Sequence, residues 1–480
     1  MLLDYLNRWA VSQPRATAVI FNDTPISYLD FRNLILGTAH VFHATRFGAG
    51  NIVAITCQNL LVNWIAIHAL RLLGYDTAVV GSIDALKSLN VDNLAGIVVL
   101  RSEANPRTLA SLKHFGVPIV PFNDELRSSD LAPPVNRKVG GHILFTSGTT
   151  GSYKKAFFEG DKSDRLSLKR VSERNITPAS IQHNFNFPQS TGAGFTIPQA
   201  IWMAGGCLIL DQRPDSELNL FRYPITDAVL VPARAQKLAD MMSKSAPRPG
   251  SFTLYLGGGA VSRDLADTLK TYVTPNIVIL YSATECGNMC ETPYTCAEDL
   301  VWYLPVAKRR IRIVSDEDGH ECAVGEEGRL GVELVDTDCF EYLEDPAATA
   351  KAFRNGHFQP GDLAVRRADG RIRVLGRADD VINLRGWKVA VAPLEQKIQA
   401  ALKVGTVCLF SGLTEDSQDR LVVMIEAVAE PSAQDLALIR KFLHWGEDLR
   451  VIVLPEFPRT ASATQKLDRI ALRRIAFAPQ

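Results

Sequence analysis

The sequence predicts an α/β protein. It should have a large N-terminal domain of parallel sheets covered by helices, a small antiparallel β-barrel-like subdomain within it, and a small α/β domain at the C-terminus. Three observations predict this. Up to Arg309, short apolar runs alternate with segments of helical periodicity, the pattern of doubly buried strands joined by crossover helices. Beyond Arg309 the strands become short and turn-separated. After Gly376 a charged, turn-rich segment, RADDVINLRGWKV, gives way to a second compact alternation of helices and strands. A chain of 480 residues is also too long for one ordinary core, and two or three domains are the natural expectation.

At the N-terminus, Leu2, Leu6 and Trp9 suit one face of a helix. Asn51–Cys57 (NIVAITC) reads as a buried strand, and Leu60–Leu73 as a helix that stops at Gly74. Thr77–Val80, Ala95–Leu100, Val117–Val120 and Ile143–Phe145 read as further strands, and the same style continues through Cys207–Leu210, Ala228–Val231 and Ile277–Leu280. The β-rich part, about 309–376, contains Ile311–Val314, Gly328–Leu334, Leu363–Arg367 and Arg371–Gly376, with Asp369-Gly370 as a hairpin turn. Helices at Ala392–Leu402 and Ala433–Leu443 and strands near Thr406–Phe410, Leu421–Ala427 and Arg450–Val453 complete the C-terminal domain. The main boundary falls near Arg377–Asp380, giving domains 1–377 and 378–480.

Hydrophobic residues are 46% and charged residues 22% of the chain, and Lys plus Arg equals Asp plus Glu at 52 each. A balanced chain has no global field to draw in nucleic acid or an anionic membrane, so any anionic ligand needs a local site. The eight cysteines are scattered and do not read as a disulfide framework. Cys286, Cys290 and Cys296 cluster, but without a CxxC pair or nearby histidines they read as reduced thiols rather than a zinc site. The N-terminus lacks the apolar run and cleavage site of a signal peptide, and no apolar stretch approaches the ~18 residues of a membrane span. A soluble, cytoplasmic setting is expected.

Thr146-Ser147-Gly148-Thr149-Thr150-Gly151-Ser152-Tyr153-Lys154 directly follows the strand-like HILF. Its glycines let the backbone turn N–H groups toward oxyanions, its hydroxyls add donors, and Lys154 adds a positive charge suited to a polyphosphate. GxxxxGK[ST] is absent, so this is not a Walker A loop, and no GxGxxG follows the early strands, which disfavours a dinucleotide-binding dehydrogenase. By composition alone, the same residues describe a polar surface turn better than a phosphate loop.

The order of residues resembles the TSGTTGxPKG phosphate-loop signature of the adenylate-forming superfamily, which includes acyl-CoA synthetases, luciferases and peptide-synthetase adenylation domains. Tyr153 stands where Pro is usual and Lys155 where Gly is usual. Further segments resemble the family's motifs in the family's order. Leu256-Gly257-Gly258-Gly259-Ala260 resembles the glycine-rich strand end beside the adenine and the acyl pocket. Tyr281-Ser282-Ala283-Thr284-Glu285 resembles YGxTE. Gly356-His357-Phe358 with Gly361-Asp362 resembles GWFxTGD, and Thr349–Phe353 fits its lead-in. Gly376–Asp380 with Ile382 and Arg385–Val389 resembles GRxDxxIKxRGxxV. Pro458–Arg469 resembles PRTxxGKxxR, with a longer middle and Gln465 in place of Gly. Phe187–Gly192 lies where relatives have an aromatic residue or His, and Gln189 or Thr191 occupies that neighbourhood.

The resemblance implies an acetyl-CoA synthetase-like fold with a mobile C-terminal domain, and an AMP-forming acid–thiol ligase that uses ATP and Mg²⁺. It implies nucleotide contacts from Thr146, Ser147, Gly148, Thr149, Thr150, Gly151, Gly258, Gly259, Ala260, Tyr281, Ser282 and Thr284. Asp362 would hold the ribose hydroxyls, and Arg377 the ribose or a phosphate. Glu285 would hold Mg²⁺, Lys154 and Lys466 would neutralise phosphate charge, and Asp379 would be the hinge of the C-terminal domain. Gly257, Gln189 and Thr191 would line the acyl pocket, and Arg385, Gly386 and Trp387 the thiol path. The expected partners are a carboxylic acid and coenzyme A, or a separate carrier protein bearing phosphopantetheine. A nucleotide-binding homologue without turnover is the remaining alternative.

Overall fold

A computed structural model of the protein describes residues 2–81, 86–87, 92–123, 126–133, 138–147, 153–185, 187–244, 250–315, 319–378, 381–384, 387–413, 419–444, 446, 449–459 and 467–478. The chain forms two compact units, Met1–Leu300 with Leu334–Gly356, and Val301–Glu333 with His357–Gln480.

Two sheets make the frame of the first unit. One runs in the order Ile119–Phe122, Leu94–Leu100, Ile52–Ile55, Asp76–Val79, His142–Ser147, Tyr153–Phe158. Its pairs are parallel except the last, which is an antiparallel hairpin. The other runs Gly287–Pro293, Asn276–Ala283, Thr253–Leu256, Asp227–Leu230, Ile181–His183, Cys207–Leu210, Thr17–Phe21, Thr24–Ser27, parallel inside with an antiparallel pair at each edge. The inner strands Ile52–Ile55 and Cys207–Leu210 are buried at every residue, as expected of parallel strands covered on both faces. The helix Leu60–Leu72 is likewise buried along nearly its whole length and starts at Asn59, whose side chain accepts from the N–H groups of Leu61 and Val62. The predicted parallel α/β frame is therefore present. The strand Tyr153–Phe158, which the sequence reading does not anticipate, pairs with His142–Ser147 so that Thr146 faces Lys154. Thr146, Ser147, Tyr153 and Lys154 of the phosphate-loop segment thus lie in paired strands.

The root of this hairpin is polar and buried. Arg71 donates from Nε to the Gly140 carbonyl at 2.8 Å and forms an ion pair with Asp164 at 3.1 Å. The other Asp164 oxygen accepts from the Leu2 N–H at 3.0 Å, which ties the N-terminal helix Leu2–Ser12 into the same knot. A Cβ at Gly140 would lie 1.9 Å from the Tyr75 carbonyl oxygen, so only glycine fits there. His142 stacks on Phe195 at 3.8 Å. Its Nε2–H donates to the Gln189 carbonyl at 2.8 Å, which leaves Nδ1 to accept the Thr77 hydroxyl at 2.7 Å.

In the second unit, Glu327–Glu333 pairs antiparallel with Ile311–Val314, His357–Phe358 and Asp362–Arg366, and the last pairs with Ile372–Arg377. Gly370, at φ 85°, makes the hairpin turn expected of Asp369-Gly370. Further along, Val407–Leu413, Asp419–Glu426 and Arg450–Leu454 form a three-stranded sheet. Strand alternation sorts its side chains into two cores. Leu409, Leu421, Val423 and Ile425 pack with Ile398 and Ile439 from the helices Val391–Leu402 and Ala433–Leu443. Cys408, Phe410, Val422 and Met424 pack with Leu472 and Ala476 of Arg469–Ala476. Antiparallel β structure and a terminal α/β segment are thus both found as the sequence predicts.

Burial holds the His142 ring neutral and pushes its pKa down to about 3, and it pushes that of His183 down to about 4. In the unfolded chain these groups protonate near 6.5. The unfolded state therefore binds more protons between those limits, and stability is lost as pH falls below 6.5. Each such histidine steepens the loss by up to about 1.4 kcal/mol per pH unit. Thermal unfolding followed from pH 7.5 to pH 5 should show a falling midpoint with a smaller slope for His142→Gln, and an unchanged slope would contradict this account.

Candidate functional site

Lys154 lies on the second strand of the hairpin, opposite Thr146. Its Nζ is 5.0 Å from the centroid of the Tyr342 ring. Successive strand residues face opposite ways, and the neighbouring Lys155 is buried, with its ammonium 2.9 Å from Glu344. Ser147 closes the first strand, opposite Tyr153. Gly148, Thr149, Thr150 and Gly151 lie outside the described residues.

Tyr281 and Ser282 sit at the end of the strand Asn276–Ala283, where the pairing with Gly287–Pro293 shifts register. Such a bulge re-aims the chain at a strand end. Thr284 and then Glu285 follow, and Glu285 is buried. One of its carboxylate oxygens accepts the Tyr342 hydroxyl at 2.5 Å, and its carbonyl accepts the Cys339 N–H at 2.8 Å. A carboxylate keeps acceptor capacity on its second oxygen, and oxygen is what a hard divalent cation such as Mg²⁺ takes, so Glu285 fits the expected metal ligand. Tyr342, which meets both Glu285 and Lys154, is a candidate site residue that sequence reasoning missed. The signal was indirect: Lys155, a cation in place of a usual glycine, needs an acidic partner, and Glu344 stands two residues after Tyr342.

The turn Pro188–Gly192 crosses beside these groups. The Ser190 carbonyl accepts the Phe145 N–H at 2.7 Å. Thr191 caps the helix Gly192–Ala204 by accepting from Gly194, and its hydroxyl donates to the Pro188 carbonyl at 2.8 Å. A Cβ on Gly192 would meet the Thr284 Cα at 3.6 Å, so this turn and the Thr284–Glu285 segment are in contact. Gln189 is buried, and its side-chain Nε2 has no hydrogen-bond partner among the described residues. Gly257 ends the strand Thr253–Leu256, buried against Leu280, while Gly258, at φ 85°, turns the chain so that Gly259 and Ala260 are exposed. The first unit thus brings together Thr146, Lys154, Thr284, Glu285 and the Gln189–Gly192 turn at the carboxyl ends of parallel strands, where open α/β sheets bind ligands.

In the second unit, Asp362 and Arg377 are opposed across two antiparallel strands. Arg377 donates to Asp362 at 3.2 Å and to the Pro360 carbonyl at 2.6 Å. Trp387 starts the strand Trp387–Ala390, paired with Val381–Leu384. Asp379, Arg385, Gly386 and Lys466 lie outside the described residues. The segment carrying Lys466 is flanked by an antiparallel bridge between Arg459 and Leu467, and Arg459 reaches both oxygens of Glu426 at 2.9 Å.

With this geometry in view, the family model described as AMP-binding enzyme matches residues 132–333. That range contains the hairpin, Gly257–Ala260 and Tyr281–Glu285. The chain is 26% identical over 296 residues to 2-hydroxy-7-methoxy-5-methyl-1-naphthoate–CoA ligase of Streptomyces carzinostaticus, covering 57% of this chain and 51% of that one. It resembles the fold of O-succinylbenzoate coenzyme A synthetase (MenE) from Bacillus subtilis in complex with ATP and magnesium ion, with TM-score 0.82, 20% identity, and 98% and 99% of the two chains covered. The chain is similar to the adenylate-forming superfamily over the region that the AMP-binding model matches. It is also 26% identical over 385 residues to the nonribosomal peptide synthetase asqK of Emericella nidulans, covering 72% of this chain but 14% of the synthetase. The chain thus spans about half or less of the length of these curated relatives. No helix among the described residues is long and apolar enough to cross a membrane.

The contact between Gly192 and Thr284 sets a graded steric test. Gly192→Ala adds an atom at ordinary contact distance and should bind ATP like the parent. Gly192→Val adds two further carbons toward Thr284 and should weaken ATP binding roughly tenfold, with unchanged circular dichroism. Equal binding by both variants would remove this turn from the site.

Proposed function

We propose that this chain uses ATP to convert a carboxylic acid into its acyl-adenylate, releasing pyrophosphate, and then passes the acyl group to a thiol. The observation that carries the reading is the approach of Lys154 and Glu285 to opposite parts of one buried side chain, Tyr342, beside the Gln189–Gly192 turn. A cation and a metal-binding carboxylate held that close together suit a polyphosphate.

A substrate carboxylate is already ionised, so the first step needs little acid–base chemistry. Its oxygen forms a bond to the α-phosphorus while the bond from that phosphorus to the pyrophosphate oxygen breaks. The protein's work is to align two anions and neutralise the charge that develops on the leaving group. Lys154 and Lys466 supply positive charge, the backbone and hydroxyls of Thr146–Gly151 supply donors, and Asp362 and Arg377 hold the ribose. Mg²⁺, held by Glu285, would neutralise phosphate charge when bound. Tyr281, Ser282 and Gly258–Ala260 sit beside the adenine, and Gly257, Gln189 and Thr191 beside the acyl group. For the second step, domain 378–480 turns about Asp379 and withdraws Lys466, and Arg385, Gly386 and Trp387 come to face the path of the thiol. The thiolate attacks the acyl carbonyl, and the bond to AMP breaks.

Coenzyme A is the first choice of acceptor, supported by the similarity to a CoA ligase. A phosphopantetheine arm on a carrier protein is the second, supported by the similarity to a peptide synthetase. Tyr153, Lys155 and Gln465, which depart from the family's residues, motivate a third reading, nucleotide binding without turnover.

Purified protein with ATP, Mg²⁺ and a panel of carboxylic acids should release pyrophosphate with at least one of them, and adding each thiol afterwards identifies the acceptor. ATP binding with no acid-dependent release across the panel would favour the third reading. Lys466→Ala should suppress adenylate formation by roughly a hundredfold or more while sparing thiol transfer from supplied adenylate, since a charge that acts on pyrophosphate has no part in the second step. Equal losses in both steps would refute that assignment. Asp379→Pro should slow the second step more than the first, and matched rates would discredit the hinge.

A further inference from the structure

Tyr342, which meets both Lys154 and Glu285, belongs to one short segment, Cys339–Glu344, with several anchors among the described residues. Tyr342 lies opposite Ala156 in an antiparallel bridge, and the Leu343 N–H donates to the Lys155 carbonyl at 2.8 Å, so the segment lies along the second strand of the hairpin. Glu344 completes the attachment. One of its oxygens takes the buried Lys155 ammonium at 2.9 Å, and the other accepts the Asp92 N–H at 3.3 Å. Its backbone is left-handed at φ 55°, a conformation that costs a non-glycine residue about 1 kcal/mol or more and persists where surrounding contacts enforce it. At the other end the Cys339 N–H holds the Glu285 carbonyl at 2.8 Å. Between these anchors the Tyr342 ring is buried and packed edge-on against Phe353 at 5.2 Å, and the Tyr342 backbone N–H donates to the Thr349 hydroxyl at 2.9 Å.

We propose that Cys339–Glu344 is a strap that fixes the hairpin relative to Glu285, and that Tyr342 is the positioning residue within it, aiming the Glu285 carboxylate through its hydroxyl and seating the Lys154 ammonium on its ring face. The functional half of this inference rests on the adenylation reading, while the strap itself does not. A hydroxyl bonded to an ionised carboxylate makes a strong, directional contact, and such partners orient metal ligands. An aromatic face within about 6 Å of an ammonium attracts it through the ring quadrupole without consuming its N–H donors, which stay available for phosphate. One side chain therefore sets the spacing between the proposed metal ligand and the proposed phosphate cation. The Lys155–Glu344 pair locks the strap to the hairpin. Losing Glu344 would leave a buried ammonium without that partner, so the lock is expensive to break.

Two measurements test this and separate the strap from the adenylation reading. The first is a double-mutant cycle on thermal unfolding with Tyr342→Phe and Glu285→Gln, without nucleotide. The hydroxyl–carboxylate contact predicts that the double variant melts close to the worse single variant, and additive shifts would overturn the strap. The second is titration of Mn²⁺, followed by electron paramagnetic resonance, with a non-hydrolysable ATP analogue. Tyr342→Phe should weaken Mn²⁺ binding roughly 10- to 100-fold, the usual effect of removing a partner of a metal ligand. Its metal-free affinity for the analogue should stay within about threefold of the parent, because the ring that seats Lys154 is kept. Tyr342→Leu should weaken the metal-free affinity as well. Glu344→Gln should shift both affinities, since it frees the hairpin rather than one contact. Parent-like Mn²⁺ binding by Tyr342→Phe would overturn the positioning role. A non-additive cycle in a parent that binds neither the analogue nor Mn²⁺ would leave the strap standing and overturn the adenylation reading.

Discussion

The paired strands His142–Ser147 and Tyr153–Phe158 flank the proposed phosphate loop, and their root is fixed by buried polar contacts at Gly140–His142. Arg71 is the centre of that knot. It is nearly inaccessible, ion-paired with Asp164, and bonded to the Gly140 carbonyl. Because Asp164 also accepts the Leu2 N–H, one carboxylate joins the N-terminal helix, the helix Gly160–Glu173 and the hairpin root. Removing either member of such a pair would strand a charge in the interior, which costs several kcal/mol. His142 continues the chain of contacts by joining Thr77 to the Gln189 carbonyl, so the hairpin and the proposed acyl-side turn share one anchor.

From that root outward the site becomes a problem of local charge. The chain as a whole is neutral, so nothing at long range draws in an anion. Two lysines adjacent in sequence are instead separated by the alternation of a strand. Lys155 is neutralised internally by Glu344, while Lys154 meets an aromatic face. The pairing explains how a cation can stand at a position where the family usually has glycine. The extra charge is absorbed inside the fold and adds nothing to the field that a polyphosphate would meet. In the second unit, Arg377 against Asp362 shows the same economy, with a proposed ribose acceptor held by a cation directly across two paired strands.

Much of this was legible in the sequence because it is local. A continuous apolar run marks Ile52–Ile55 and period-3.6 patterns mark Leu60–Leu72 and Ala433–Leu443 without reference to anything distant, and Asp369-Gly370 marks its own hairpin. The segments from Thr146 to Glu285 that resemble the superfamily's motifs fall inside the region matched by the AMP-binding family model. The strand Tyr153–Phe158 was harder to see. Its lysines interrupt the apolar pattern, and one of them is buried against a glutamate almost two hundred residues later in the chain.

The sequence by itself therefore determined the class of fold, many of its elements and the segments that resemble a nucleotide site, since each is written in residues close together along the chain. Only the tertiary structure decided that Tyr342 meets both Glu285 and Lys154, that Glu344 neutralises Lys155, and that Gln189 shares a histidine with the hairpin root. Those partners lie far apart in the chain. No periodicity encodes a contact between residues that become neighbours only when separate strands and turns pack together, because the pattern within a segment records which face is buried and not what lies against it.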